Sequence, residues 1–581
     1  MSLKYSNTKS FIIQSFILAA VLCSPSAGSD IIKQVADGVT LTQITSDNAA
    51  APLLTNVLSI DMGNKDLQLR AVLGKDVILT DDIYKGKENV ASMVERTNAI
   101  AGINADFFAM EWGGDPLGVC IINGELISEP ARNRAAMAIT KDNKVFFDIP
   151  TPSASLTCSD GTSIKLDGIN KPRASGQLIA YTSAFGAKVQ TKFAVTYVRC
   201  TSTDLPISAS KPVKLTVTEI FQGIVDGDIQ PGTVLLQGGG EVAKNLNERV
   251  KVGDVLTARF DINSPSGYDW STVDQSISGG PWLVKDGVEF VDGEAEGFGS
   301  DMTVTSHPRT AIGLTADNKL LMVTVDGRQV ISKGLNMADL ATCMRKLGAV
   351  TAINLDGGGS TTLSIRGFVV NSPSGGVERY VADGLLLFSK KKEAESIKDP
   401  GITGIGDAIV AGDTANLSAV IGADKTPVTD KDLSKVIWGS KSGMGFVDQT
   451  GRYYPRKIKV GDVCYAYGPG VAKKRVRIFA GPTSQITAKL TPDANDKLKA
   501  LLEITSTDKL DNPTADRPIL LNIKGGIADT GALTTDDKGK YNIIITWDAS
   551  ATEQSVEVKI DDITATTTPI VVNNTSLVIV K

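Results

Sequence analysis

A strand–helix–strand pattern in the middle of the chain is the feature that most constrains its fold. Two apolar runs, "KLLMVTVDG" and "AVTAINLDG", flank the segment "NMADLATCMRKLG", in which apolar residues recur at helical spacing. Asn336 can cap this helix, and Gly348 can end it. Because each strand leads to an aspartate and a helix connects them, we expect a βαβ unit whose two strands pair in parallel.

Polar side chains follow three of the apolar runs. Asp326 and Asp356 end the two strands above, and Asn104 ends a third run, "TNAIAGINADFF". Side chains at the carboxyl ends of parallel strands leave the core and face a crevice where ligands collect. If the three strands share one sheet, two carboxylates and an amide converge at this edge.

A triple glycine, in "NLDGGGSTTL", follows the last of these strands. No lysine follows it, as a P-loop requires, and a strand rather than a helix comes next, which argues against a dinucleotide fingerprint. Two interpretations stay open. The glycines form a hairpin turn, or they remove side-chain bulk so that a ligand can approach Asp356 and Ser360.

The segment "SHPRTAIGLT" contains Arg309 and the only histidine of the chain, His307. A guanidinium can hold a phosphate through two parallel hydrogen bonds, although a salt bridge would also explain Arg309. One histidine excludes a multi-histidine zinc site and leaves a single candidate for a Ser-His-Asp triad, with a surface or structural role as the alternative. Similarly, Trp282 could stack on a sugar or be buried, and Asp115 could line a site or cap its loop.

The charge balance argues against a nucleic-acid partner. The chain has 581 residues, with 60 lysines and arginines against 65 aspartates and glutamates, and a net charge of −5. No basic block stands out, so the electrostatic footprint of a nucleic-acid-binding protein is missing. A chain of this length also exceeds what one hydrophobic core supports, which predicts several domains.

The N-terminus has the pattern of an export signal. Lysines precede the apolar run "FIIQSFILAAVLC", and the small residues "SAG" follow it. We therefore predict a cleaved signal peptide over residues 1–28 and a secreted or periplasmic protein of the bacterial cell envelope. In an oxidising compartment Cys158 and Cys200 could pair, and buried free thiols are the alternative.

The composition and the hydrophobic pattern of the sequence change near residue 390. The segment "SKKKEAESIKDPG" is charged, polar and closed by Pro-Gly, which is typical of a linker. Beyond it, short alternating stretches separated by turn residues favour two small β-sandwiches, over 400–480 and 481–581. The predicted class is thus α+β, with a mixed-sheet domain over 29–390 followed by two smaller all-β sandwich domains.

Six segments of the first domain occur in the order seen in the phosphodiester glycosidase family. They are "GINADFF", "GDPLGVCIINGE", "SGGPWLVKDG", "HPRTAIGLT", "VTVDGR" and "GLNMADLATCMRKLGAVTAINLDGGGSTTL". The resemblance covers roughly Asn98 to Phe388, and its most specific parts are "RTAIG", "DGR" and "NLDGGGST". The C-terminal part lies outside it and resembles bacterial Ig-like modules.

The resemblance implies an enzyme that hydrolyses a sugar-1-phosphodiester at the anomeric C–O bond. Its two products would be a phosphomonoester and a free sugar, and this sugar would be an N-acetylhexosamine. Carried over by position, the implied catalytic residues are Asp326 and Asp356. The implied substrate-binding residues are Asn104, Arg309, Thr310, Asn354, Gly357, Gly358, Gly359, Ser360 and Thr362. The sequence departs from the family pattern at Asp106 and His307, which places a general catalytic role for either in doubt.

The expected partner is a phosphodiester-linked carbohydrate, and no cofactor or catalytic metal is expected, with a structural calcium left open. A carbohydrate-binding envelope protein without turnover is the alternative, in which the C-terminal domains contact envelope glycan. A phosphodiesterase that breaks the P–O bond would usually need two metals and clusters of His and Asp. The single histidine makes that third function a weak candidate.

Overall fold

The computed structural model describes residues 30–567, except 47, 49, 132, 392–397, 442, 529–530 and 532, together with the strand Val578–Val580. The predicted signal peptide, residues 1–28, lies outside these residues, as does part of the predicted linker. Within the described part of the chain, no helix is both long and apolar enough to span a membrane. Most of the regular structure is β-sheet, with few helices.

Two large sheets face each other around the main hydrophobic core, and each carries a helix on its outer side. One sheet has eight strands, in the spatial order Ile31–Ala36, Val39–Ser46, Leu53–Asp61, Lys319–Val325, Arg309–Thr315, Ala349–Asn354, Trp282–Lys285 and Val288–Glu289. The other has nine, in the order Ala408–Val410, Gly470–Phe479, Lys459–Tyr467, Val436–Ser440, Phe368–Val369, Leu363–Ile365, Ala101–Asn104, Asp383–Ser389 and Leu67–Leu73. Buried side chains such as Leu58, Met322, Ile103 and Leu385 form the core between them.

The predicted helix is confirmed and spans Met337–Lys346. Asn336 caps it, because its Oδ1 accepts a hydrogen bond of 2.9 Å from the amide of Asp339. Its apolar face, which includes Leu340 and Met344, packs on the outer face of the eight-stranded sheet. The helix Val90–Thr97 covers the nine-stranded sheet in the same way.

The predicted parallel pairing of the two strands flanking this helix is wrong. Lys319–Val325 and Ala349–Asn354 run in the same direction, but both pair antiparallel with Arg309–Thr315, which lies between them. An α-helix is about 10 Å wide and neighbouring strands are about 4.8 Å apart, so one crossover helix covers two strand spacings. The strand Ala101–Asn104 belongs to the nine-stranded sheet, so the three predicted strands do not share one sheet.

Residues 120–278 add further sheets that extend the first domain. A five-stranded sheet has the order Glu125–Ser128, Cys120–Ile122, Val273–Ser278, Ala136–Thr140 and Val145–Asp148. An eight-stranded sheet, which we call the insert sheet, has the order Ser163–Lys165, Thr151–Thr157, Val255–Asn263, Pro212–Gly223, Val195–Thr201, Thr233–Gly239, Leu178–Tyr181 and Gly168–Ile169. Lys188–Val189 and Gly227–Asp228 form a small ribbon. Cys158 and Cys200 are buried free thiols and do not form a disulfide.

The remaining helices are short and lie away from the two large sheets' central strands. They are Glu241–Arg249, Ser300–Val304 and Asp430–Leu433, with 3₁₀ turns at Gly74–Asp76, Trp270–Thr272 and Gly358–Ser360.

The part after residue 400 is mostly β, apart from the short helix Asp430–Leu433, and has two hydrophobic cores of its own. Its other strands are Gly401–Thr403, Ala415–Asn416, Ser418–Ile421, Thr426–Pro427, Gly445–Val447, Arg452–Pro455, Gln485–Pro492, Lys499–Thr507, Ile519–Lys524, Gly526–Ala528, Lys540–Trp547, Ser555–Ile560 and Ile563–Thr567. The nine-stranded sheet crosses the predicted boundary, because Val369 pairs with Ser440. The boundaries at 390, 400–480 and 481–581, and the sandwich assignments, stay predictions.

Candidate functional site

The triple glycine forms a tight loop at the edge where the two large sheets meet. After the strand Ala349–Asn354 ends, the amide of Leu355 donates to the carbonyl of Thr310 at 2.8 Å, and the amide of Asp356 donates to the carbonyl of Ala105 at 3.0 Å. The amide of Gly358 then donates to the carbonyl of Pro308 at 2.8 Å. Both sheets therefore hold this segment, which we call the glycine loop (Gly357–Ser360).

Each glycine of the loop has a reason to lack a side chain, which is space at Gly357 and Gly359 and backbone conformation at Gly358. A Cβ at Gly357 would lie 2.8 Å from the carbonyl oxygen of Pro308, and a Cβ at Gly359 would lie 2.3 Å from Nη2 of Arg379. Gly358 has a φ of +59°, which side chains disfavour. The loop is a turn, as one interpretation predicted, and its glycines also admit the close approach of other groups, here Pro308 and Arg379.

Asn104 ties the glycine loop to both sheets. Its Nδ2 donates to the carbonyl of Asp356 at 2.6 Å, while its Oδ1 accepts from Oγ1 of Thr310 at 2.8 Å and from the amide of Thr362 at 3.1 Å. The side chains of Asn104, Thr310 and Thr362 are fully buried. The structure thus brings these three predicted residues together in buried positions, where their hydrogen bonds support the loop.

Asp356 is the predicted carboxylate that keeps access to solvent beside the loop, because this residue is only half-buried whereas Asp326 is completely buried. Burial raises its pKa to about 6, and the nearby charge of Asp383 acts in the same direction. The hydroxyl of Ser360 and the charge of Arg379 oppose this shift. With a pKa of about 6, Asp356 is mostly ionised at neutral pH and still basic enough to accept a proton.

Two arginines that were absent from the predicted site flank the glycine loop. Nη1 of Arg379 donates to Oγ of Ser360 at 3.3 Å, and the Arg328 guanidinium lies 3.5 Å from the position of a Cβ on Gly358. Arg328 is exposed, and its Nη2 lies 3.1 Å from Nδ1 of His307. The motif "DGR" contains Arg328 and was a signal for it, whereas "GGVERYVADG" gave no comparable signal for Arg379.

Arg309 does not occupy the predicted phosphate-binding position. Its side chain is only 1% exposed. Its Nε donates to the carbonyl of Leu335 at 2.7 Å, and its Nη2 donates to the carbonyls of Met302 and Thr305 at 2.9 Å each. A buried guanidinium must satisfy its N–H donors, and those of Arg309 hold these loops together. The prediction that Arg309 binds phosphate is therefore wrong.

Asp326 also differs from its predicted role as a catalytic carboxylate at the crevice. It is completely buried, and its oxygens accept hydrogen bonds from Nδ2 of Asn371 at 2.9 Å and from the amide of Ser372 at 2.8 Å. Burial raises its pKa to about 7. Asn371 in turn donates to the carbonyl of Thr361 and accepts from the amide of Leu363. Asp326 therefore supports the segment that follows the glycine loop.

A buried carboxyl pair, Asp106 and Asp383, lies behind Asp356. The amide of Asp106 donates to Oδ1 of Asp383 at 2.9 Å, and the amide of Ser278 donates to Oδ1 of Asp106 at 2.8 Å. The second oxygen of each carboxyl has no other donor in the described structure. Burial raises the pKa of both groups, and the charge of Asp383 raises the pKa of Asp106 further, whereas the hydrogen bonds from Asp106 oppose the shift at Asp383.

The other predicted residues have structural surroundings. Nδ2 of Asn354 donates to the carbonyls of Gly280 and Leu355, and its Oδ1 is buried without a donor in the described part of the chain. Trp282 is buried, with its Nε1 on the carbonyl of Val284, so it cannot stack on a sugar. Among the described residues, no three His, Cys, Asp or Glu side chains are grouped so that they could hold a metal ion.

A half-buried carboxylate beside two guanidinium groups, on a loop without side-chain bulk, defines a site of the kind that hydrolases use for an anionic ester. The family model for phosphodiester glycosidases matches residues 213–388, which contain the glycine loop, Arg328 and Arg379. The resemblance to this family is thus confirmed over residues 213–388. Asn104 and Asp106, which complete the site, lie outside the matched range.

The similar curated proteins match over short stretches. An uncharacterized SPbeta prophage-derived protein of Bacillus subtilis, YomE, is 36% identical over 121 residues, which are 21% of this chain and 18% of that protein. The N-acetylglucosamine-1-phosphodiester alpha-N-acetylglucosaminidase of Mus musculus is 33% identical over 109 residues, 17% of this chain and 21% of the mouse protein. The chain thus spans about a fifth of the length of these relatives.

A solved structure supports the fold over a larger part of the chain. The crystal structure of a hypothetical protein from Synechocystis aligns with a TM-score of 0.52 at 20% sequence identity and covers 63% of this chain and 64% of that chain.

Proposed function

We propose that the first domain hydrolyses a sugar-1-phosphodiester at the bond between the anomeric carbon and the phosphodiester oxygen. The products are a free sugar and a phosphomonoester. The observation that carries the proposal is the position of Asp356, a half-buried carboxylate next to Ser360 and within the field of Arg379. A carboxylate beside a cationic surface suits an attack on a sugar carbon whose leaving group is anionic.

Arg328 and Arg379 bind the phosphate in this proposal. They lie on the two sides of the glycine loop. In the described structure the Arg328 side chain contacts one polar atom, Nδ1 of His307, and the Arg379 side chain contacts one, Oγ of Ser360. Both guanidinium groups therefore keep N–H donors for a ligand. A guanidinium offers several N–H donors in a planar fork, which matches the oxygens of a phosphate. Such hydrogen bonds strengthen as the bridging oxygen gains charge during bond cleavage.

Asp356 acts at the anomeric carbon in one of two ways. As a base, it takes a proton from water while the water oxygen bonds to the carbon and the C–O bond electrons pass to the phosphate oxygen. As a nucleophile, its own oxygen bonds to the carbon, and water later displaces it. A phosphate ester leaves without protonation more readily than an ordinary alcohol, so a general acid contributes little. The completely buried Asp326 and Asp106 are therefore not needed to protonate the leaving group.

The identity of the sugar is a further part of the proposal. An N-acetylhexosamine is supported by the mouse relative, whose name specifies N-acetylglucosamine-1-phosphodiester. Export to the cell envelope is supported by the apolar N-terminal run behind Lys4 and Lys9. Contact of the C-terminal β domains with envelope glycan would then bring the first domain close to phosphodiester-linked polymers.

The test is hydrolysis of a panel of sugar-1-phosphodiesters and nucleotide sugars in H₂¹⁸O. Attack at the anomeric carbon places the label in the released sugar, which supports the proposal. Label in the phosphate would show cleavage at phosphorus and would overturn it. Activity is expected to persist in EDTA. No sugar release by the folded protein across the panel would instead favour a carbohydrate-binding protein without turnover.

A further inference from the structure

A cavity of about 430 Å³ lies apart from the glycine loop, between the insert sheet and the loop that precedes Gly118. Its volume falls within the roughly 300–1,000 Å³ of typical small-molecule sites. None of its lining residues belongs to the glycine loop or to the two flanking arginines. Its apolar wall includes Leu117, Leu126, Leu166, Phe260 and Ile262.

Four carboxylates line this cavity, and three of them are already neutralised. Glu129 forms an ion pair with Lys171 and also accepts from the amide of Ile169 at 3.0 Å. Asp167 pairs with Lys165 at 2.6 Å, and Asp261 pairs with Arg259 at 2.6 Å. The lysines and the arginine are thus committed to these partners, which leaves one carboxyl group without a counter-ion.

The remaining carboxylate is Asp115, which is only 6% exposed. Among the described residues none donates a hydrogen bond to its carboxyl group, which senses only burial and the charges of Glu129 and Lys171, so the alternative that it caps its own loop is wrong. Burial raises its pKa to about 8, the charge of Glu129 raises it further, and Lys171 lowers it. An unpartnered carboxylate this deeply buried costs stability, which a ligand that pairs with it would recover.

The arrangement selects for a ligand with a single compact positive group. A metal ion fits poorly, because no three carboxylates converge in the described structure. A primary ammonium can donate to Asp115 without needing further anionic groups. The rest of the cavity offers an apolar wall beside the Ser128 and Ser153 hydroxyls, a mixture that suits the faces and hydroxyls of a sugar ring.

We propose that this cavity binds an amino sugar with a free amine, with Asp115 as the counter-ion of its ammonium group. The site does not depend on hydrolysis at the glycine loop. The cavity is thus proposed as a binding subsite and not as a second reaction centre. On an exported protein it would recognise the de-N-acetylated sugar units of a glycan.

The test is calorimetric titration of the full chain with D-glucosamine, N-acetyl-D-glucosamine, glucose, ethanolamine and Ca²⁺. Glucosamine should bind, whereas the two uncharged sugars, and ethanolamine without a ring, should bind at least about tenfold more weakly, which is 1.4 kcal/mol or more. Near pH 7 binding should release a proton, because ion pairing ionises Asp115; this appears as a dependence of the enthalpy on the buffer.

Two variants make the assignment specific. Asp115→Asn should weaken glucosamine binding at least about tenfold without lowering the Tm, since it replaces an unpartnered, mostly protonated carboxyl group with an uncharged amide of nearly the same volume. Asp261→Asn, at a carboxylate that lines the same cavity but is paired, should bind within about twofold of wild type. Ala154→Trp fills the cavity and should abolish binding if Asp115→Asn does not fold. Equal binding of N-acetylglucosamine, unchanged binding by Asp115→Asn, or binding of Ca²⁺ alone would overturn the proposal.

Discussion

At the scale of single residues, two carboxylates that look alike in the sequence have different surroundings. Asp356 is half-buried beside Ser360, whereas Asp326 is completely buried with both oxygens bonded to Asn371 and Ser372. Each follows an apolar strand and precedes a glycine. The pattern therefore located both aspartates, but it did not distinguish the one that faces the crevice from the one that supports it.

The first prediction concerns Asp356. Asp356→Asn should lower kcat by about 10²–10⁴-fold, the usual contribution of a positioned acid or base, with little change in Tm. In the wild type, kcat/KM should fall as the pH drops through about 6, because the reactive form is the ionised one and burial has raised this pKa. A pH profile that stays flat through this range, or an active Asn variant, would remove Asp356 from the mechanism.

The second prediction contrasts two arginines. Arg379→Ala should raise KM about 10- to 100-fold, matching the roughly 1.5–3 kcal/mol of hydrogen bonds to a charged group, while the Tm stays nearly constant. Arg309→Ala should instead lower the free energy of unfolding, by roughly 1–3 kcal/mol for each buried carbonyl left without its donor. The measurements are steady-state kinetics and chemical denaturation. If Arg309→Ala were fully stable and changed only KM, the originally predicted role of Arg309 would be restored.

At the scale of elements, two substitutions in the glycine loop distinguish the effect of a steric clash from the effect of an unfavourable backbone conformation. Gly359→Ala places a Cβ within 2.3 Å of Arg379 Nη2, so that the guanidinium must move and KM should rise as in Arg379→Ala. Gly358→Ala meets no such contact but has a φ of +59°, so it should cost about 1–2 kcal/mol of stability. Kinetics and unfolding measured on both variants check this. Identical behaviour of the two variants would contradict it.

The elements themselves were predictable because they depend on local pattern. The helix Met337–Lys346 and the strands on either side follow from apolar spacing and from the cap at Asn336. The pairing of these strands was not predictable, because no local sequence pattern shows that Arg309–Thr315 lies between them. Likewise, Arg379 reaches Ser360 from a segment without regular structure, a contact that only the tertiary fold creates.

At the scale of the whole molecule, the part after residue 400 is bonded to the first domain at several points. Nη1 of Arg456 donates to Oγ of Ser372 at 2.9 Å, and the amide of Gln449 donates to Oε1 of Gln43 at 2.9 Å. Nζ of Lys33 donates to the carbonyl of Leu433 at 2.7 Å. The residue Ser372 also bonds to Asp326, so the C-terminal part contributes to the surroundings of the candidate site.

The fourth prediction follows from these contacts. Limited proteolysis should cut first within residues 389–401 and near Gly481, where the predicted linkers lie. After the first cut, the two fragments should still elute together from a sizing column, because the described contacts hold them. A resistant core that spans Lys391 would contradict the predicted boundary, and fragments that separate at once would contradict the strength of the interface.

The bridge between Val369 and Ser440 has a mechanical consequence. One pair of residues joins the strands of the two parts of the nine-stranded sheet, whereas the strands beside it are held by longer ladders. Under a pulling force on the C-terminal part, load would concentrate at this junction before either hydrophobic core opened. Val369 is two residues from Asn371, which bonds to Asp326. Tension on an anchored molecule would thus reach the segment under the glycine loop, and turnover would depend on how the protein is tethered.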